Sequence, residues 1–371
     1  MGTAAVVSLT GVALAGQGAP LEKPPMAESV FTNLQVLKGI PVNQFMETMG
    51  FFSASLGADC TFCHVSESGG SWAKYADDLP RKRTARRMVL MVQAINKDNF
   101  GGRQVVTCYS CHHGGDRPKV TPSLTAQYSS PPDEPNDVIT TGPKTPSADQ
   151  VLDKYLQALG GADRLAAVTS FVAKGTSSGY DDPTKRPIEV FAKAPNQRAT
   201  IVHTPDGDNS SIYDGRAAWL AAPITQRPVP LLPLAGGDLD VAKLDAELSF
   251  PGRIKQALGG WRVGFPATID DREMQVVQGT TAGRTLATFY FDMESGLLAR
   301  VVRYIDSPVG RIPAQIDYAD YRAVAGVKMP FRWTVTWLDG RSIIELTEVQ
   351  PNVPIDAARF AKPPTPTAPP K

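Results

Sequence analysis

The apolar positions along the chain fall into two regimes separated by a break. From 28 to 116 they recur at three- and four-residue spacing. In "VNQFMETMGFFSASLG" (42–57), Phe45, Met46, Met49 and Phe52 share one face and Gly57 stands where a helix can end. "TARRMVLMVQAINKDNFGG" (84–102) repeats the design with Met88, Met91, Val92 and Ile95 before a glycine pair. From 117 to 146 the periodicity vanishes into Pro, Ser and Thr, which reads as an extended linker. A third helix follows: Ser147 and Gln150 form a capping box, and Val151, Leu152, Tyr155, Leu156 and Leu159 line one face up to Gly160-Gly161. Beyond it the pattern is β-rich. "SFVAKGTSSGY", "IEVFAKA", "RATIVH", "TLATFYFD", "LLARVVRY", "FRWTVTWLD" and "SIIELTEVQ" read as strands, with Asp214-Gly215 and Ser295-Gly296 as hairpin turns. The fold class expected is multidomain: a mainly helical region, then an antiparallel β-sheet of half-barrel type with a few helices on one side.

The division that follows is 1–19, 20–118, 119–146 (linker), 147–355 (β domain) and 356–371, a Pro-rich tail expected to be disordered. The first nineteen residues are small and apolar, with Ala13-Leu14-Ala15 and Gln17-Gly18-Ala19 fitting a signal-peptide cleavage pattern. A positive n-region is missing, which a start further upstream would supply. This places the chain outside the cytoplasm, periplasmic or extracellular. No cysteine follows the apolar run, so lipidation is not expected. With 371 residues and a net charge of +1, neither length nor charge points to nucleic acid.

The chemistry concentrates in "DCTFCHVSE" (59–67) and "VTCYSCHHGG" (106–115). Cys60, Cys63, Cys108 and Cys111 are all the cysteines, in two C-x-x-C pairs, each followed at once by a histidine, His64 and His112. C-x-x-C-H is the attachment signature of c-type haem: two thiols add to the two vinyl groups of one porphyrin, and the adjacent imidazole lies beneath the iron. A redox disulfide or a structural zinc leaves both histidines unexplained. Two covalently attached haems are therefore expected. Distal ligands are scarcer. Of the remaining histidines, His113 adjoins a proximal ligand and His203 sits in the β region, so methionine is the natural alternative: Met46 or Met49 for one haem, Met88 or Met91 for the other. A methionine on an apolar stripe is more often core, and only one per helix can serve. The basic run "RKRTARR" (81–87) suits either haem propionates or a solvated helix face, and Trp72 and Tyr75 suit a haem edge or loop packing.

Residues 31–118 resemble the cytochrome c subunit family of photosynthetic reaction centres, on "FTNLQVL", the "FMETM" helix, "CTFCH", "ARRMVLMVQAIN" and "VTCYSCHHGG". The resemblance implies a methionine ligand on the helix before each haem motif, which falls on Met49 and Met88. Photosynthetic members carry four haems, and this chain has two motifs. "NKDNFGGRQVV" lacks the histidine that can serve another haem in the family, and His113 stands where an arginine is usual. The β region carries no nucleophile elbow, Walker A pattern or metal cluster. Asp181-Asp182 and Asp270-Asp271 read as solvated turns. Its layout weakly resembles the half-barrel of outer-membrane lipoprotein carriers, a concave sheet that could hold a lipid, a quinone or a partner's peptide, or serve in docking.

The expected function is that of an electron-transfer protein rather than an enzyme: an exported dihaem cytochrome working by outer-sphere transfer between redox partner proteins. Two alternatives stand beside it. One is self-assembly into a polymeric extracellular electron-conducting structure. The other is a dihaem peroxidase or reductase with one open haem site.

Overall fold

The computed structural model describes residues 21–128, 141–142, 144–180, 182–281 and 284–366. The expected leader (1–19), much of the linker, Asp181 and the last five residues lie outside them. Nine α-helices occur in the described residues: α1 Ala27–Val30, α2 Val42–Leu56, α3 Pro80–Phe100, α4 Cys108–His112, α5 Leu124–Gln127, α6 Ala148–Leu159, α7 Ala162–Ala167, α8 Gly237–Leu248 and α9 Ile254–Ala257. α2 ends at Gly57 and α3 at Gly101, both in the left-handed conformation that glycine adopts without steric cost. α6 starts on the expected box: Ser147 Oγ accepts from Gln150 N, and Gln150 Oε1 accepts from Ser147 N at 2.8 Å.

The strands are β1 Ser170–Gly179, β2 Arg186–Lys193, β3 Gln197–Thr204, β4 Gly207–Tyr213, β5 Ala218–Ala221, β6 Leu231–Pro233, β7 Gly260–Val263, β8 Ala267–Ile269, β9 Arg272–Thr281, β10 Arg284–Asp292, β11 Leu298–Ser307, β12 Gly310–Val324, β13 Val327–Trp337 and β14 Gly340–Pro351. They form one open antiparallel sheet in the order β6-β5-β4-β3-β2-β1-β14-β13-β12-β11-β10-β9-β7, with β8 on β9. Helices α6 to α9 cover one face. Leu152, Tyr155, Leu159, Leu244 and Ile254 meet Val190, Phe289, Phe291 and Val301 there in the largest apolar cluster. The helical-then-antiparallel architecture is the one the sequence pattern predicts. Asp270 and Asp271 form the tight β8–β9 turn, both at positive φ.

The tail is a correction. The segment from 356 is not uniformly disordered: Asp356 caps a turn at Ala357–Phe360, and Phe360 is 2 % exposed among Phe191, Ala199, Ile212 and Trp219. An aromatic side chain with a ready-made apolar slot orders the backbone around it, despite the flanking prolines.

The N-terminal helices have little core of their own. Val42 and Met46 pack with Tyr213, Ala218, Leu232, Leu234 and Ala246 of the β domain. Leu37, Phe51 and Val89 pack with Val309 and Ile312 of the β11–β12 hairpin. Gly310 faces the Phe51 ring so closely that a Cβ there would stand 2.8 Å from it. Polar contacts across this junction end mostly on backbone carbonyls: Gln44 Nε2 donates to Asp306 O at 2.8 Å, Gln104 Nε2 to Ser307 O at 2.7 Å, and Trp72 Nε1 to Ile224 O at 2.7 Å. Asn43 donates to the Asp238 carboxylate at the start of α8. Burial, and then the neighbouring Asp238, push Glu47 up to about 9, so this interfacial carboxyl is protonated at neutral pH.

Replacing Phe360 with Ala removes a buried aromatic from this arrangement and should lower stability by about 3 kcal/mol. A thermal melt checks it, and an unchanged midpoint would mean that the tail does not seal the sheet.

Candidate haem centres

Both C-x-x-C-H stretches are single tight turns set against the C-terminal end of α2. In the first, the Asp59 carboxylate caps the turn, accepting from Phe62 N at 3.1 Å and Thr61 Oγ1 at 2.7 Å. His64 N then donates to Cys60 O at 3.0 Å. The second is α4, begun by a capping box between Thr107 and Ser110 and ended by His113 in the left-handed region. The two turns meet at glycine. Gly114 N donates to Ser55 O at 3.0 Å, and a Cβ on Gly57 would stand 2.3 Å from Gly114 O. Gly57 is therefore needed for close backbone approach as well as for ending α2, whereas Gly114 is required by its positive φ of 76°. An open cleft of about 670 Å³ lies between the two turns, lined by Gly57, Asp59, Phe62, Arg81 and Gly114 among others.

The imidazoles are oriented alike. His64 Nδ1 is 3.2 Å from Tyr75 O, and His112 Nδ1 is 3.0 Å from Gly115 O. A carbonyl oxygen only accepts, so each Nδ1 carries the hydrogen and each Nε2 keeps its lone pair, the arrangement of a metal-ligating histidine. Burial, then the Lys82 and Arg86 charges, hold the His64 ring below its ordinary value and hence neutral at pH 7. All four cysteines are free thiols. Burial pushes Cys108 up to about 11 and raises Cys60 and Cys63. Around the second turn Leu90, Met91, Val105 and Tyr109 are exposed, an apolar strip of the kind a porphyrin face covers. Four free thiols, two imidazoles that each turn Nδ1 to a carbonyl and leave Nε2 without a protein partner, and exposed apolar side chains fit c-type haem.

The methionines are sorted by packing. Met46 points into the β-domain cluster with Tyr213 and Leu232, whereas Met49 shares a cluster with Phe51, Val89 and Cys108. Met49 is thus brought to the second motif's cysteine as well as standing on the helix before the first. Met88 is half-buried and Met91 is 44 % exposed. His113 is exposed, its ring 5.5 Å from that of Tyr109. His203 lies on β3, bonded to Asp208 at 2.7 Å and facing Glu189 at 3.4 Å, away from both motifs in the sheet order. The basic run is largely engaged within the chain. Arg81 lies over the Phe62 ring at 3.9 Å, Lys82 donates to Tyr75 O at 2.7 Å, and Arg86 pairs with Asp78 at 2.8 Å. That carboxylate also offsets the cost of starting α3 with cations at its positive end. Tyr75 sits edge-on to His64 at 4.9 Å and stacks on Trp72, so the first proximal histidine is tied through two aromatics to the β domain.

One positioning residue has no motif to announce it. Asn96, buried on α3, accepts from Val105 N and Val106 N at 3.0 and 2.9 Å and donates to Val106 O at 2.7 Å. It fixes the chain entering Thr107-Cys108. The available signal is a lone Asn in the apolar stripe of Val89 and Val92.

No helix among the described residues is long and apolar enough to cross a membrane. Residues 8–147 match the family model described as photosynthetic reaction centre cytochrome C subunit. The photosynthetic reaction center cytochrome c subunit of Thermochromatium tepidum is 39 % identical over 99 residues, 26 % of this chain and 23 % of that one. That of Rubrivivax gelatinosus is 32 % identical over 113 residues, 28 % and 29 % of the two chains. The chain thus spans less than a third of the length of these relatives, and the similarity is confined to the haem-motif region, as its motifs imply. Among solved structures, a LolA superfamily protein from Nitrosomonas europaea is 16 % identical over 58 % of this chain and 98 % of its own, with a TM-score of 0.38. A DUF1329 family protein from Desulfovibrio piger is 11 % identical over 57 % and 96 %, with a TM-score of 0.41. Neither bears on function.

Asn96→Ala leaves the part-buried Val105 and Val106 amides and the Val106 carbonyl without their partner, and should cost about 1 kcal/mol and leave a fraction of chains with one haem in place of two, read by intact mass. Gly57→Ala should likewise lower the melting temperature, because its Cβ has no room beside Gly114 O; a wild-type melt would show that the two turns do not meet there.

Proposed function

We propose that this chain, whose haem-motif region is similar to reaction-centre cytochrome c subunits, is an exported c-type cytochrome that carries electrons between protein redox partners on two covalently attached haems. The observation that carries the reading is the pair of imidazoles, each with Nδ1 on a carbonyl and Nε2 free, each within a turn holding two free thiols. Cys60 and Cys63 would bind one porphyrin and Cys108 and Cys111 the other, with His64 and His112 as proximal ligands. Met49 and Met88 would stand opposite, with Met91 the runner-up on α3. Met46, the runner-up on α2, packs against the β-domain cluster, which supports a core role for it. When bound, the haem irons supply one-electron Fe(III)/Fe(II) chemistry, at a higher potential with a thioether opposite the imidazole than with a second imidazole.

The chain's part is to keep that geometry unchanged between oxidation states. Tyr75 O and Gly115 O fix the ring orientations, and the α2 junction fixes the spacing of the two turns. With two protein ligands on each iron no position would be left for a substrate, so electrons would pass by outer-sphere transfer and no catalytic residue would be needed. Export is supported by the apolar leader and by the haem chemistry.

Absorption spectra of the matured protein, oxidised, reduced and then exposed to carbon monoxide, test this. Two low-spin His/Met haems that ignore carbon monoxide are expected. Ready binding at one haem would favour a peroxidase or reductase with an open site. Met49→Ala should open one haem to carbon monoxide and lower its midpoint potential, whereas Met46→Ala should cost about 2–3 kcal/mol of stability and leave both spectra unchanged. The reverse pattern would exchange the two assignments.

A further inference from the structure

The junction between α2 and α8 gathers polar groups that electron carriage does not use. Asn43 and Glu47 stand one helical turn apart on α2, so they share one face of it. Both meet the same carboxylate across the junction. The Asn43 amide donates to Asp238, and Glu47 shares a side-chain hydrogen bond with it. Among the described residues no three carboxylate, imidazole or thiol groups converge on one point. Here two carboxyl groups and an amide do, and all three can offer oxygen.

The hydrogen bonding at this point is incomplete. Asn43 is 7 % exposed, and its Oδ1 is buried without a partner. Glu47 Oε2 is likewise buried and unpartnered. A buried acceptor left alone costs free energy unless a donor or a cation reaches it. The chain's own cations do not. The charge of Arg227 bears on Glu47, yet no lysine or arginine pairs with Glu47 or Asp238 among the described residues. Burial and the facing carboxylate keep a proton on Glu47 instead. A single proton answers one acceptor at most and leaves the other. A dication answers both and neutralises the two carboxylates, releasing the proton to water. The Asn43 amide is nearly symmetrical in shape, so a half-turn of its last torsion presents oxygen where nitrogen stands.

We propose that Glu47, Asp238 and Asn43 hold a calcium ion that staples the helical region to the β domain. Carboxylate and amide oxygens are hard donors, which favours calcium or magnesium over the softer transition metals. Calcium takes roughly six to eight oxygens in irregular geometry. Two carboxylates able to bind through both oxygens, with the amide, supply much of that shell, and water completes it. Magnesium demands a near-octahedral arrangement and gives up its water reluctantly, which donors fixed on two separate helices do not match. None of the three side chains lines the cavity of about 390 Å³ between the sheet and helices α6 to α8, and none is a proposed haem ligand. The site therefore stands independently of both.

The test is calorimetric titration of the matured full-length protein, freed of metal with EGTA and then of EGTA by dialysis, with calcium chloride and separately with magnesium chloride. One saturable calcium site is expected, with magnesium at least tenfold weaker, and a higher melting temperature in calcium than in EGTA. Asp238→Asn should weaken calcium binding at least tenfold. Asn43→Asp, which exchanges the amide for a third carboxylate, should tighten it. No saturable calcium binding, equal affinity for magnesium, or the same melting temperature in calcium and in EGTA overturns the proposal. So does a folded Asp238→Asn that binds calcium as tightly as the parent, because the ion then sits elsewhere. Should that variant fail to fold, an affinity of Asn43→Asp no tighter than the parent's overturns it equally.

Discussion

The helical region depends on the seating of α2 against the sheet. Taken alone, this stretch buries too little apolar surface to hold two short turns and a 21-residue helix in fixed relation. Its apolar side chains are completed from outside. Val42 and Met46 find their neighbours in β5, β6 and α8, while Phe51 finds its own in the β11–β12 hairpin. α2 thus has a face toward the sheet and an end toward the two cysteine turns. The spacing of those turns is inherited from a β-sheet that carries none of the chemistry. Covalent attachment, as proposed for the haems, would suit such a design, because retention would then not rely on a deep pocket.

The parts legible in the sequence are those under local constraint. Each C-x-x-C-H stretch spans five adjacent positions, so the motif is visible without any tertiary contact. Helices α2, α3 and α6 were legible from periodicity and from stop signals at Gly57, Gly101 and Gly160. Strands with alternating or branched residues, such as β2 and β3, stood out as well. Others did not. β4 is "GDNSSIY", polar for most of its length, and β12 carries Pro313 and a left-handed Asp320, which break the strand pattern while the ladder continues on both sides. The junction was invisible because Gln44, Gln104 and Trp72 donate to backbone carbonyls, and a carbonyl looks the same at every residue. Met46 and Met49, three positions apart on one stripe, turn to different neighbours only once the sheet supplies them.

The β13–β14 hairpin joins the two halves more closely than the domain description implies. Trp337 lines the cavity of the β domain. Leu338, the next residue, packs in the cluster that includes Met49. Asp339 lies against Gly50, about 3.1 Å from where a Cβ would stand, and its charge bears on Cys60. Three consecutive side chains thus line a cavity, pack beside a candidate ligand and place a charge near the first cysteine turn. A well-packed core transmits small displacements rather than absorbing them, so the state of the cavity and the state of the first haem turn share a mechanical boundary.

The placement of that boundary in the chain also imposes an order in time. Gln44 and its acceptor Asp306 are 262 positions apart, so the hairpins on which α2 rests are delivered by a ribosome long after α2 itself. While they are still being made, α2 has nothing to lean on, and Cys108, later half-enclosed beside Phe51 and Val309, is still open. Folding of the sheet therefore changes the surroundings of the four cysteines unequally: Cys108 becomes part-enclosed, while Cys60 and Cys111 stay exposed in the finished fold.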